Sequence, residues 1–270
     1  MRRDRDKQPL IVVTAAAGAV AVLLLGAGRW VAMSRLDLDV IFSEEGGLLE
    51  WLAFLALLCA GIALCCVHRL RRKHHGLAWR SPQSVGMLIL AGALLVGAFE
   101  EISWGQHVIG WRTPEFFRAR NLQAETNIHN LEILGVRLNT VVFDRVLFAI
   151  VALHNVVLPV VALGVPRMHR WVERIGGFVP PLPLVAVFLA AAALASATGI
   201  RRPAELPEAV GSLHYLASIL ATYVLGCGMD DPIVRTARAR RRAAPVIAVG
   251  LLSLVAVAVL LTVISVGKPV

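Results

Sequence analysis

Between Glu100 and Asn130 the chain gathers the side chains that do acid–base and ligand chemistry. Glu100, Glu101, His107, Glu115, Glu125 and His129 are interleaved with Trp104, Gln106, Asn121, Gln123, Asn127 and Asn130. Carboxylates beside imidazoles can exchange protons or hold a divalent metal. Amides can orient hydroxyl- or phosphate-bearing substrates, or can satisfy loop backbone. The flanking sequence is apolar, and each ionisable group there is costly to desolvate. So dense a polar stretch in such surroundings marks the place to look for function.

Spacing divides the candidates. If the helix leading into the stretch continues, Glu100, Trp104 and His107 fall within about 40° of one direction, with Glu101 about 100° away. Thr113-Pro114-Glu115 predicts a helix start, with Thr as N-cap and Pro at the first helical position. Phe116 and Phe117 then suit a short helix lying in the membrane interface. A helical 121–132 segment would place Glu125, His129 and Glu132 on one face. The candidate catalytic groups are Glu100, Glu101, Glu125 and His129. Trp104, Gln106, Asn121, Gln123, Asn127 and Asn130 are the candidate substrate contacts. Glu101, Glu125, His129, His107 and His214 are the candidate ligands of a divalent metal, the one cofactor the residues suggest. An ion pair of Glu100 or Glu101 with Arg112 or Arg145 is the competing structural explanation. His154-Asn155, deep in an apolar run, reads as an interhelix hydrogen-bonding pair.

The elements that position these groups are membrane helices. Hydrophobic residues make up 57% of the 270, mean hydropathy is +0.71, and 17% are charged. Soluble domains are about 45–50% apolar and about 25% charged. The apolar runs are continuous rather than alternating, which predicts helices and not a barrel. The expected fold is all-α: a single transmembrane domain over 1–270, with seven spans near 9–33, 48–67, 84–103, 141–165, 182–200, 212–229 and 245–266. An interfacial loop at 104–140 joins the third and fourth. The first run exceeds the ~7–15-residue core of a signal peptide and reads as an uncleaved span.

Charge sets the expected orientation. With the N-terminus cytoplasmic and the C-terminus outside, the inner segments hold 17 of the 27 Lys and Arg but 5 of the 18 Asp and Glu. That is +12 inside against −3 elsewhere, as the positive-inside rule requires. The overall +9 is thus a topology signal facing anionic lipid, and nucleic acid is not an expected partner. Cys59, Cys65, Cys66 and Cys227 lie in or beside apolar runs and read as small core residues.

The segments EEGGLLEWL, FEEISWGQ, TPEFF and NLQAETNIHNL together resemble a set of bacterial polytopic membrane proteins of no characterised activity. The likeness covers Glu44 to Leu131. His107 stands where that pattern has Arg, which weighs against His107 as an essential ligand. The HxxxH pair of seven-helix zinc amidohydrolases of the ceramidase type is missing. The resemblance implies a multi-pass protein of a bacterial cytoplasmic membrane and carries no reaction with it. Three functions fit the residues: an enzyme acting on a lipid or lipid-linked headgroup at the outer face, a non-catalytic subunit docking a membrane-protein partner through 100–130, and a small-solute or proton-coupled transporter.

Overall fold

A computed structural model describes residues 7–44, 46–165, 167–229 and 232–265. The head of the chain up to residue 6, Glu45, Asp230-Asp231 and the GKPV tail lie outside the described residues, as do the side chains of His107 and Asp144. The architecture is all-helical apart from one two-stranded hairpin, Glu132–Ile133 with Val136–Arg137. The long helices are α1 (Gln8–Met33), α2 (Leu48–His74), α3 (Pro82–Glu101), α4 (139–164), α5 (Leu182–Ala195), α6 (205–224) and α7 (Ala237–Ser265). Among the described residues five helices are long and apolar enough to cross a membrane: α1, α2, α3, the Arg145–Gly164 part of α4, and α7. The chain is a multi-pass helical membrane protein. The apolar segment Leu182–Thr198 is shorter, and α6 carries Glu205, Glu208, His214 and Tyr215.

Helix ends follow local chemistry, and several expected boundaries move. Ser81 caps α3, its Oγ accepting the Ser84 N–H at 3.1 Å, with Pro82 in the first turn. Glu50, in the first turn of α2, accepts the Gly46 N–H at 2.7 Å. Acid at a helix start is favoured by the dipole, as base is at its end. Helix α2 runs to His74 rather than stopping near 67, because Arg71, Arg72 and Lys73 extend it as a basic last turn. Helix α7 begins at Ala237, so RARRR is helix and not loop. Helix α6 begins at Glu205, ahead of the expected 212. Helix α4 is interrupted by wider π-type turns at Asn139–Leu147 and Leu153–Val157, and α6 ends in another at Leu220–Val224.

Helix α2 lies at the centre, packed along α3, α6 and α7, while α1 packs on α7 and α5. Small residues on α2 (Ala53, Ala56, Ala60) let its neighbours approach, the usual device where lipid supplies no hydrophobic drive between helices. On α4 the large apolar side chains Phe148, Ile150, Leu153 and Leu163 face outward, as lipid contact demands. Cys66 is also exposed, so it is not the core residue the sequence suggested; all four cysteines are free thiols.

The 167–177 segment is pinned against α2, α3 and α6. Buried Arg71 reaches Glu173 at 3.1 Å and lies over the Tyr223 ring at 5.1 Å. The Tyr223 hydroxyl sits 2.9 and 2.8 Å from the Gly176 and Gly177 carbonyls. Gly86 on α3 admits this turn: a Cβ there would fall 1.8 Å from the Ile175 carbonyl oxygen. Gly86→Ala must therefore move backbone and should cost about 1–3 kcal/mol or more. Gly92→Ala, with nothing within 4 Å of the new atom, should be neutral or stabilising by about 1 kcal/mol. Unfolding midpoints of the two variants in one detergent check the contrast.

Candidate functional site

Helix α3 does not run through Trp104. It ends at Glu101, and Ser103, Trp104 and Gly105 turn the chain with φ of 47°, 58° and 86°. The expected shared face of Glu100, Trp104 and His107 therefore does not form. The left-handed turn instead curls Trp104 back, and its indole N–H donates to Glu100 Oε1 at 2.6 Å. Nor is 121–132 helical. It is a compact loop with Ala124 at φ 56°, closed by an Asn121–Leu131 bridge and leading into the hairpin. Glu125, His129 and Glu132 thus share no helical face. Thr113 is not a cap either: the short helix spans Glu115–Arg118, and the Thr113 hydroxyl donates to the Ala124 carbonyl at 2.7 Å.

Glu100 is the hub. Only 6% exposed, its carboxylate takes four donors: Trp104 Nε1 on Oε1, and on Oε2 the backbone N–H groups of Ile128 and His129, at 2.7 and 3.0 Å, plus His129 Nδ1 at 3.3 Å. Among the described residues no arginine bonds Glu100, so its expected ion pair with Arg112 or Arg145 does not form. A second knot lies beside it. Ser103 Oγ donates a short hydrogen bond to Glu125 Oε2, and Asn127 Nδ2 reaches both atoms at 3.0 Å. Asn121 donates to the carbonyl and side-chain oxygens of Asn127 and accepts the N–H groups of Gln123 and Glu125. Gln106 ties the loop's outer rim, donating to Thr113 Oγ1 and accepting the Thr126 N–H, both at 2.8 Å. Asn130 Nδ2 meets Gln123 Oε1 and His129 Nε2.

The structure thus brings Glu100, Glu125, His129, Trp104, Gln106, Asn121, Gln123, Asn127 and Asn130 into one continuous network. Its members bond chiefly to one another and to loop backbone. Glu101 stands apart: its carboxyl sits in the field of Glu208, Glu50, Glu205 and Glu100, at the junction of α2, α3 and α6. His214 is not beside His107's segment but inside the bundle, where its Nε2 lies 2.7 Å from Asn155 Oδ1. Among the described residues no three His, Cys, Asp or Glu side chains gather as a metal-binding group. The expected ligand set is dispersed because Glu101, Glu125 and His214 belong to three separate neighbourhoods.

Sequence reasoning missed Ser103, Thr113 and Tyr215. The first was visible as the Ser of ISWGQ. Tyr215 belongs to a buried chain joining α4 to α6. Asn155 donates to the Val151 carbonyl and to Tyr215 Oη, which lies 3.3 Å from His154 Nδ1, and His154 Nε2 lies 3.0 Å from the Phe178 carbonyl. The expectation of an interhelix role for His154-Asn155 matches this geometry.

Comparison with protein-family models, with curated proteins and with solved structures gives no match. Function must therefore be argued from the site alone.

Because two backbone N–H groups depend on Glu100, Glu100→Gln should loosen the whole loop at a cost of roughly 1.5–3 kcal/mol, the usual worth of bonds to a charged acceptor. Limited trypsinolysis at the exposed Arg118 and Arg120 should accelerate in that variant. Glu115→Gln, on an exposed side chain outside the network, should digest like the parent.

Proposed function

We propose that this chain is a non-catalytic membrane subunit whose 100–131 loop is a rigid platform for docking another membrane protein. It spans a bacterial cytoplasmic membrane seven times as a single domain, with its N-terminus cytoplasmic and the loop on the outer face. The seven-span reading adds α5 and α6 to the five long apolar helices, and the orientation rests on the +12 against −3 charge balance.

One observation carries the docking reading. The central acid and imidazole, which would meet a substrate headgroup, are occupied: Glu100 has four donors, and His129 is engaged at both ring nitrogens. A group that must take or give a proton needs a substrate atom within hydrogen-bond reach, and here those positions are filled by the loop itself. The platform leaves large apolar side chains outward among its exposed charges Glu115, Arg118 and Arg120: Phe116, Leu122 and Ile128, with Leu134 at the hairpin tip 99% exposed. A headgroup would be read by polar groups, whereas apolar side chains on a stiff base suit a protein partner.

Photo-crosslinking from Leu134 and Leu122 in cells tests this. The expected result is one discrete protein adduct, absent when the probe sits at lipid-facing Leu153 and lost in Glu100→Gln. Lipid adducts alone from Leu134, or a protein adduct indifferent to Glu100→Gln, would overturn the docking reading.

A second reading rests on Glu101, the one candidate acid turned away from the network and toward three carboxylates of α2 and α6. In that reading Glu101 is the base of an enzyme acting on a lipid or lipid-linked headgroup. Its mark would be a headgroup profile in cell lipid extracts that changes on expression of the parent chain and not of Glu101→Gln. Identical profiles remove it.

A further inference from the structure

At the end of the bundle away from the 100–131 loop lies a cavity of about 650 Å³, between the start of α1, the end of α4, the start of α5 and the start of α7. That volume is ordinary for a small-molecule site, which typically occupies ~300–1,000 Å³. Its polar lining is basic: Lys7, His169, Arg235 and Arg240. Among the described residues no carboxylate lines it. The remaining wall is apolar, and two of its members, Leu163 and Leu182, are 69% and 41% exposed. Leu163 lies at the end of α4 and Leu182 at the start of α5, so the cavity has an exposed apolar edge between these two helices.

The basic side chains are held in place. The turn after α6 passes through Gly226 and Gly228 at φ +77° and +80°. A Cβ on Gly226 would come 2.8 Å from Pro232 and 3.2 Å from Arg240 Cζ, and one on Gly228 would come 3.2 Å from the His169 ring. Only glycine combines that backbone with so close an approach. Arg240 Nε donates to the Val234 carbonyl at 2.8 Å and its Nη2 to the Arg235 carbonyl at 3.4 Å, which fixes the guanidinium. Arg235 leans on His75 at 3.0 Å. Thr236 caps α7 by accepting the Ala239 N–H, and the positive end of this 29-residue helix adds to the field.

We propose that this cavity binds the phosphate of an anionic phospholipid, with Arg240, Arg235, Lys7 and His169 around the headgroup and an acyl chain leaving between Leu163 and Leu182. Planar guanidinium groups suit phosphate oxygens, and basic pockets between membrane helices are a recognised solution for anionic headgroups. The exposed apolar edge favours a lipid over free phosphate. This inference does not depend on the docking platform.

Native mass spectrometry of the delipidated full chain, titrated with dioleoyl phosphatidylglycerol, dioleoyl phosphatidylcholine or inorganic phosphate, provides the test. Phosphatidylglycerol should bind about tenfold more tightly than phosphatidylcholine, and Arg235→Gln with Arg240→Gln should erase that preference. Arg240 also holds its own turn, so Leu163→Trp serves as an independent variant. It keeps every charge, crowds the apolar edge, and should weaken phosphatidylglycerol by a similar factor. Arg238→Gln with Arg242→Gln removes two exposed charges of the same helix outside the cavity and should change nothing. Equal binding of the two lipids, or loss equal in the cavity and control variants, overturns the site. Inorganic phosphate competing at millimolar concentration, with Leu163→Trp without effect, overturns the lipid in favour of a soluble phosphate.

Discussion

A carboxylate placed at the last turn of a membrane helix must find donors, and Glu100 finds them in a loop almost thirty residues away. That requirement organises the end of the molecule that carries the loop. The C-terminal end of a helix is an unfavourable place for a negative charge, and the peptide N–H groups of Ile128 and His129 together with Trp104 Nε1 offset it. The left-handed path of Ser103 and Trp104 follows from the same need. On that path Trp104 bonds Glu100 and Ser103 presents its hydroxyl to Glu125.

The amides complete the arrangement. A loop of this kind has few regular backbone hydrogen bonds, and its buried N–H and C=O groups must be paired. Asn121 and Gln106 each bond loop backbone with one end of the side chain and another side chain with the other. The chemistry that would read a sugar or a phosphate is used to read the protein's own backbone. A dense hydrogen-bond network also stiffens what it builds, and that stiffness gives an exposed tip such as Leu134 a fixed place on the surface.

The two ends of the bundle are complementary in character. At the end that carries the loop, the central polar groups bond one another, and apolar side chains such as Leu134 and Ile128 stand outward. At the other end the basic side chains of α7 and its neighbours surround a cavity with an exposed apolar edge. Between them α6 carries the polar residues His214, Tyr215, Ser218 and Thr222 through the interior, and the widened turn of α4 at Leu153–Val157 holds the Asn155 that His214 and Tyr215 contact.

The hydropathy runs and the basic segments were enough, by themselves, to specify a helical multi-pass protein, because burial of apolar surface and the sign of loop charge are local properties of the chain. The same reading located the stretch whose polar groups gather into one network, since so many polar groups in an apolar context need partners. What local pattern could not settle was where helices stop. Glu100 to His107 continues the helical period, yet the helix ends at Glu101, where Ser103, Trp104 and Gly105 take left-handed backbone and the loop of residues 128 and 129 packs onto Glu100. Glu100, Glu125 and His129 were nominated together and do meet, but as mutual hydrogen-bonding partners. Glu101 and His214 were nominated with them and lie elsewhere, since one residue of helical rotation and two turns of depth each separate neighbourhoods. Which groups face one another is decided by contacts between distant segments, and only the tertiary structure holds those.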